Sequence, residues 1–131
     1  MPKLPADDAR LLASRYFELA VSLGRQRFAS WDQLSKRERE RLESLEWTLL
    51  TYSSDFTTRA LVLAVDDLQR TVADLAAATK RLRLAAERTD DIRTALGIAT
   101  AAVSLGAAVF TGNPVAIATA LANAVSTATA A

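Results

Sequence analysis

Every Asp, Glu, Lys and Arg in the sequence lies at or before Arg93, so the thirty-eight residues from Thr94 to Ala131 carry no charged side chain. Charged residues make up 24% of the 131-residue chain, and a water-facing surface of ordinary composition would place some of them in a stretch this long. The tract is therefore expected to face packed protein or acyl chains rather than bulk water. This divides the sequence into a charged region, 1–93, and an uncharged Ala/Thr-rich region, 94–131.

The charged region balances its own charge. Sixteen Lys and Arg stand against fifteen Asp and Glu, which argues against a dedicated nucleic-acid binder or a polybasic anchor. The sequence has no Cys and no His, so thiol nucleophiles, disulfides, imidazole acid–base chemistry and the usual zinc ligands are excluded. The opening MPKLPADDARLL is interrupted by Asp7, Asp8 and Arg10 where a secretory signal would be apolar, so any export is expected to proceed without a signal peptide.

Between Gly24 and Gly97 there is no glycine, and between Pro5 and Pro114 no proline, which predicts helix with brief interruptions. Pro5 with Asp7 and Asp8 reads as a helix start, and Leu12, Tyr16, Leu19 and Leu23 carry one apolar stripe to about residue 28. Ser30 with Gln33 and Ser35 with Glu38 both match the capping box, so the next helix is expected to begin near residue 31 or 36. Its stripe is Leu42, Leu45, Leu49, Tyr52 and Phe56. The alternating charges of Lys36 to Arg41 suit a solvated helix face. Ser53, Ser54 and Asp55 fit either a new cap or the surface of a continuous helix.

Leu61, Val65, Leu68, Val72, Leu75, Thr79 and Leu82 step by four and three residues in alternation, a heptad seam over three repeats. Such a seam needs a partner helix, supplied within the chain or by a second copy; in the latter case the protein is a homo-oligomer. The register slips after Leu82, and Thr89, Asp90 and Asp91 read as a joint with a helix start. A helix over about 90–111, a turn at Gly112, Asn113 and Pro114, and a helix over about 115–128 then form an antiparallel hairpin.

The large apolar residues of this hairpin are Leu96, Ile98, Val103, Leu105, Val109 and Phe110 on the first arm and Val115, Ile117, Leu121 and Val125 on the second. Eighteen residues at about 1.5 Å each span roughly 27 Å, just short of a hydrocarbon core of about 30 Å. Small residues recur at every fourth position, at Gly97 and Ala101, Ala102 and Gly106, and Ala116, Ala120 and Ala124, spacings that let helix backbones approach closely. Lys80, Arg81, Arg83, Arg88 and Arg93 form a basic flank ahead of the tract. A hairpin entering a bilayer from the side of that flank drags no charge across, and the positive-inside bias would keep the flank cytoplasmic.

This layout resembles the α-helical pore-forming proteins of the cytolysin A and haemolysin BL type. Those combine a bundle of long amphipathic helices with a short apolar hairpin, tucked away in the soluble form and exposed for membrane insertion. The resemblance matches Thr94 to Ala131 to the hairpin and Leu61 to Leu82 to the supporting coiled coil. The chain is much shorter than those proteins and its hairpin is terminal where theirs is internal, so no functional residue is carried across.

No catalytic, cofactor or metal site is expected. The acid pairs Asp7/Asp8, Asp66/Asp67 and Asp90/Asp91 place neighbouring carboxylates about 100° apart on a helix, too divergent to converge on one atom. No phosphate-binding or nucleophile-elbow glycine motif is present. The aromatic residues fall at core-like helical spacings, and Trp31 is the best candidate for an exposed contact. The expectation is an all-α protein, an elongated bundle or coiled coil ending in the uncharged hairpin. It is non-enzymatic and membrane-associated or membrane-active, oligomerising through the heptad seam and inserting or burying the hairpin as a pore, a lysis or effector component, or an anchor, with a lipid bilayer and copies of itself as partners, and neither nucleic acid nor a small-molecule substrate. The alternatives are a soluble cytoplasmic or exported structural subunit of an oligomer, a filament or a secretion- or phage-type particle, or a bundle acting as an adaptor or immunity partner.

Overall fold

The computed structural model describes residues 3–131, and within them the protein is all-α. Five helices follow in order: α1 Ala6–Ala29, α2 Lys36–Thr58, α3 Leu68–Arg88, α4 Ile92–Thr111 and α5 Pro114–Ala130. Their starts are chemically marked. The Ser35 hydroxyl accepts from the Glu38 N–H and the Glu38 carboxylate accepts from the Ser35 N–H, a complete capping box. Residues 31–33 form only a 3₁₀ turn without a side-chain cap, so the Ser30/Gln33 match does not start a helix. Asp67 accepts from the Arg70 N–H, Asp91 from the Arg93 N–H, and Asn113 from the Val115 and Ala116 N–H groups. The acid pairs at 66–67 and 90–91 thus lie at helix starts.

The expected seam is broken. Ser53 to Asp55 lie inside a continuous α2, but residues 59–67 are not helical although they contain neither glycine nor proline. Thr57 and Thr58 turn their hydroxyls back onto the Ser54 carbonyl at the end of α2, and the Asp67 cap starts the next helix. Between them Leu61 and Leu63 are buried while Val62 is exposed, the two-residue alternation of an extended segment. Its backbone is paired at both ends: the Leu4 N–H donates to the Leu61 carbonyl and the Ala64 N–H to the Gly112 carbonyl, each at 2.9 Å. Leu61 and Val65 therefore belong to a linker rather than to a coiled coil, and residues 31–88 form two helices rather than one rod.

Helices α1, α3 and α5 run in one direction, α2 and α4 in the other. Ser22 and Glu18 of α1 meet Glu87 and Arg83 of α3, Tyr52 and Phe56 of α2 meet Phe110 of α4, and α3 packs beside α5. One contiguous core draws on all five helices and on Leu61 and Leu63. The charge boundary at residue 93 is consequently no structural boundary: α4 supplies Ile98, Leu105 and Val109 to the same core as Leu12, Leu19 and Leu42.

Candidate functional site

The seam residues Val72, Leu75, Thr79 and Leu82 are buried in this core, with Leu68 at its margin. The Thr79 hydroxyl is satisfied by the Leu75 carbonyl at 2.6 Å. The partner the seam needs is inside the chain, in α1, α4 and α5, so these side chains are not available to a second copy in this fold.

The uncharged hairpin divides its residues between two faces. Inward go Ala95, Ile98, Ala102, Leu105, Gly106 and Val109 of α4 and Ile117, Ala124 and Ala128 of α5, while Leu96, Val103, Phe110 and Leu121 are half-buried around them. The α4 arm is latched by aromatic rings. Phe110 lies 5.1 Å from Tyr52 and 4.9 Å from Phe56 between ring centroids, with the Arg59 guanidinium 4.9 Å over its face. Tyr16 lies tilted against Phe56 at 5.3 Å between ring centroids and donates its hydroxyl to the Ala102 carbonyl at 3.0 Å. Gly106 lies where a Cβ would overlap the Tyr52 ring, so the absence of a side chain lets α4 approach α2. Burial pushes the Tyr16 and Tyr52 phenols upward, with Tyr52 acting on Tyr16 and Asp55 on Tyr52 in the same direction.

The turn is equally specific. Gly112 takes φ 68° as the α4 C-cap, Asn113 caps α5 and Pro114 is its first residue. A Cβ at Gly112 would also overlap the Val62 carbonyl, so the linker backbone and the hairpin tip fit together only through glycine.

Outward, α5 shows Val115, Ala118, Thr119, Ala122, Asn123, Val125, Ser126 and Thr129, and α4 shows Gly97, Thr100, Ser104 and Ala107. Val115 is 73% exposed. Beyond the exposed Arg93 in the first turn of α4, this surface has no ionised side chain on either helix. A shallow groove of about 410 Å³ runs between α3 and α5, lined by Asp74, Ala77, Ala78, Arg81, Leu121, Ala122 and Val125. It continues past Leu84 and Arg88 towards Ala128 and Ala131.

The basic flank does not act as one group. Lys80, Arg81, Arg88 and Arg93 are exposed, whereas Arg83 is engaged between α1 and α3, 3.5 Å from the Glu18 carboxylate and 3.0 Å from that of Glu87, which also accepts from Ser22. A second interhelical pair, more deeply buried than the first, went unseen in the sequence: Arg27 on α1 donates to Glu46 on α2 at 2.7 and 3.2 Å, and this hydrogen bonding raises the Arg27 pKa. Glu46 is 7% exposed, yet it sits at an inward position of a strongly charged helix, where spacing alone gives no sign of its distant partner.

Trp31, singled out as an exposed contact, is 40% exposed, and Phe28 beside it is 67% exposed, their rings stacked at 6.1 Å. Trp47 is also on the surface. Comparison with family models, with curated proteins and with solved structures finds no match to this chain.

Proposed function

We propose that this chain is a non-enzymatic, membrane-associated helical bundle that holds its α4–α5 hairpin against α2 and α3 and delivers it to a bilayer. The observation that carries this reading is the uncharged outer face of the hairpin from Thr94 onward, on a molecule whose other helices carry dense charge. α4 is long and apolar enough to cross a membrane by length and composition, with half of its apolar window buried in the bundle. α5, at 17 residues, is shorter.

Transfer from core to lipid is energetically plausible because Ile98, Leu105 and Val109 stay dehydrated throughout. Each would contribute about 1.5–3 kcal/mol against exposure to water, and that contribution is kept among acyl chains. What insertion must replace is the aromatic latch and the Tyr16–Ala102 hydrogen bond. The small-residue stripes then serve helix-to-helix contact in lipid. This is the arrangement of the pore-forming proteins that the layout resembles, with the hairpin stored in the soluble form.

The test is flotation and dye release with vesicles of phosphatidylcholine and phosphatidylglycerol. The full chain should float and release dye. A variant with Ala77→Cys and Ala122→Cys, cross-linked across the α3/α5 groove by a short bis-maleimide, should keep its fold and lose release until the linker is cleaved. Failure of the full chain to associate with any vesicle would refute the reading.

A second reading is favoured by one observation: the groove and the outward face of α5 are rich in Ala, Thr and Ser, which suits close packing against a helix better than contact with lipid. On this reading the protein is a soluble assembly subunit that meets its copies through α5. It predicts a detergent-independent oligomer dispersed by Ala122→Arg.

A further inference from the structure

The face of α3 that turns away from the core carries a charge order that complements itself when the helix is turned end for end. Asp67, Asp74, Arg81 and Arg88 follow one another at intervals of seven residues, acid, acid, base, base. Seven residues are close to two turns, so the four fall on one stripe about 30 Å long, from the N-cap of α3 to its last residue. All four are exposed, and none of them is in an ion pair among the described residues. Arg70 lies on the same face between the two acids, whereas Lys80 and Glu87 turn toward α1, beside Phe17 and Val21.

Between the charges the surface is small and apolar. Ala77 and Ala78 stand at the midpoint of the stripe, Leu84 is 39% exposed, and Leu121, Ala122 and Val125 of α5 carry the surface on across the shallow groove. This face lies outside the seam residues Val72, Leu75, Thr79 and Leu82, which the core has already taken. A second α3 laid antiparallel on it, crossing at Ala77 and Ala78, meets Asp67 with Arg88 and Asp74 with Arg81, and each pairing occurs twice because the two positions are equally far from the midpoint. A parallel mate in register would set acid on acid and base on base. The charge order therefore selects an antiparallel copy, and that placement also opposes the two helix dipoles. Arg70 adds one base at each end, a turn away from both Asp67 and Asp74 of its own helix.

We propose that two copies of this chain pair in solution through the outer face of α3, antiparallel about a two-fold axis at Ala77 and Ala78, so that each covers the α3/α5 groove of the other. A two-fold interface closes on itself, which gives a dimer and not a filament. The inference goes beyond both readings above: it assigns a named interface, built on α3, that holds whether or not the hairpin later enters a bilayer.

Sedimentation equilibrium of the full chain in detergent-free buffer should give twice the monomer mass at tens of micromolar, with weaker association at high salt. Asp74→Arg and Arg81→Asp should each weaken pairing by about tenfold or more, and the two together in one chain should restore it, because the swapped charges again complement each other across the axis. Circular dichroism and urea unfolding should show each variant folded, since both positions are exposed and make no ion pair within the chain. Orientation is read with single cysteines, in a chain that has none of its own. Ala77→Cys should oxidise to a disulfide-linked dimer and Leu84→Cys should not, its two copies lying about 20 Å apart along the antiparallel pair. A dimer that neither charge substitution weakens would overturn the proposal, as would one that cross-links through Leu84→Cys. A monomer mass independent of concentration, in a chain that floats with vesicles, would overturn the dimer and leave the membrane reading intact.

Discussion

Gly106 and Tyr16 show how closely the uncharged hairpin is fitted to the charged part of the chain. Because the Tyr52 ring occupies the space over Gly106, Gly106→Val should destabilise the protein by about 1–3 kcal/mol, measured by urea unfolding, as the ring and α4 are forced apart. Tyr16 makes a pH-dependent contribution of definite sign. Its folded-state pKa lies above the unfolded value of about 10, so stability is constant below that pH and falls as pH rises beyond it, where only the unfolded chain ionises freely. Tyr16→Phe should cost about 1 kcal/mol at neutral pH through the lost bond to Ala102, and should flatten the alkaline fall in thermal midpoint. The buried aromatic positions were legible in the sequence as helical stripes. Which ring meets which was not, because Tyr16, Tyr52, Phe56 and Phe110 converge from three helices.

Among the elements, the Asp67 cap lay hidden within the heptad spacing, but other helix starts were readable from a short polar side chain with one job. Ser35 is such a case, and Ser35→Ala should cost about 1 kcal/mol in chemical unfolding, whereas Ser30→Ala, with no side-chain cap to lose, should cost little. The break at 59–67 was missed because it uses neither of the residues that usually mark one. The heptad spacing of Leu61, Val65 and Leu68 happened to continue across it, and a spacing of four cannot distinguish a helix from an extended segment whose inward residues are Leu61 and Leu63. That segment is clasped to the hairpin tip, so Gly112→Ala combines an unfavourable positive φ with overlap of the Val62 carbonyl. It should destabilise by on the order of 2 kcal/mol or more, and hydrogen exchange should show early loss of protection at the Ala64 amide, whose acceptor is the Gly112 carbonyl.

For the molecule as a whole, the charge boundary at residue 93 invites a truncation that the core forbids. A chain ending at Arg93 would uncover the surfaces of α2 and α3 that α4 and α5 bury, and it should show lost cooperativity and dye-binding apolar surface rather than an intact bundle. A cross-linked full chain is therefore the cleaner control for hairpin function. Composition alone predicts burial for the whole tract, and the fold grants it only to the inward face, leaving Val115, Thr119, Asn123 and Ser126 among those exposed; its companions were not legible either, since 94–131 reads equally well as self-contained and the contacts that attach it are spread over α2, α3 and the linker.

α5 follows the other four helices in the chain, and it covers faces of α3 and α4 that have no other partner. During synthesis those faces must wait, open, until α5 has cleared the ribosome exit tunnel. Nascent chains stalled before Pro114 should accordingly be bound by chaperones and cut readily by protease, and chains stalled well beyond Ala131 by an added linker should be released and resistant. A protein that hides its most apolar helix only when α5 arrives gives the cell a short interval in which that helix can be captured by a membrane before the bundle closes over it.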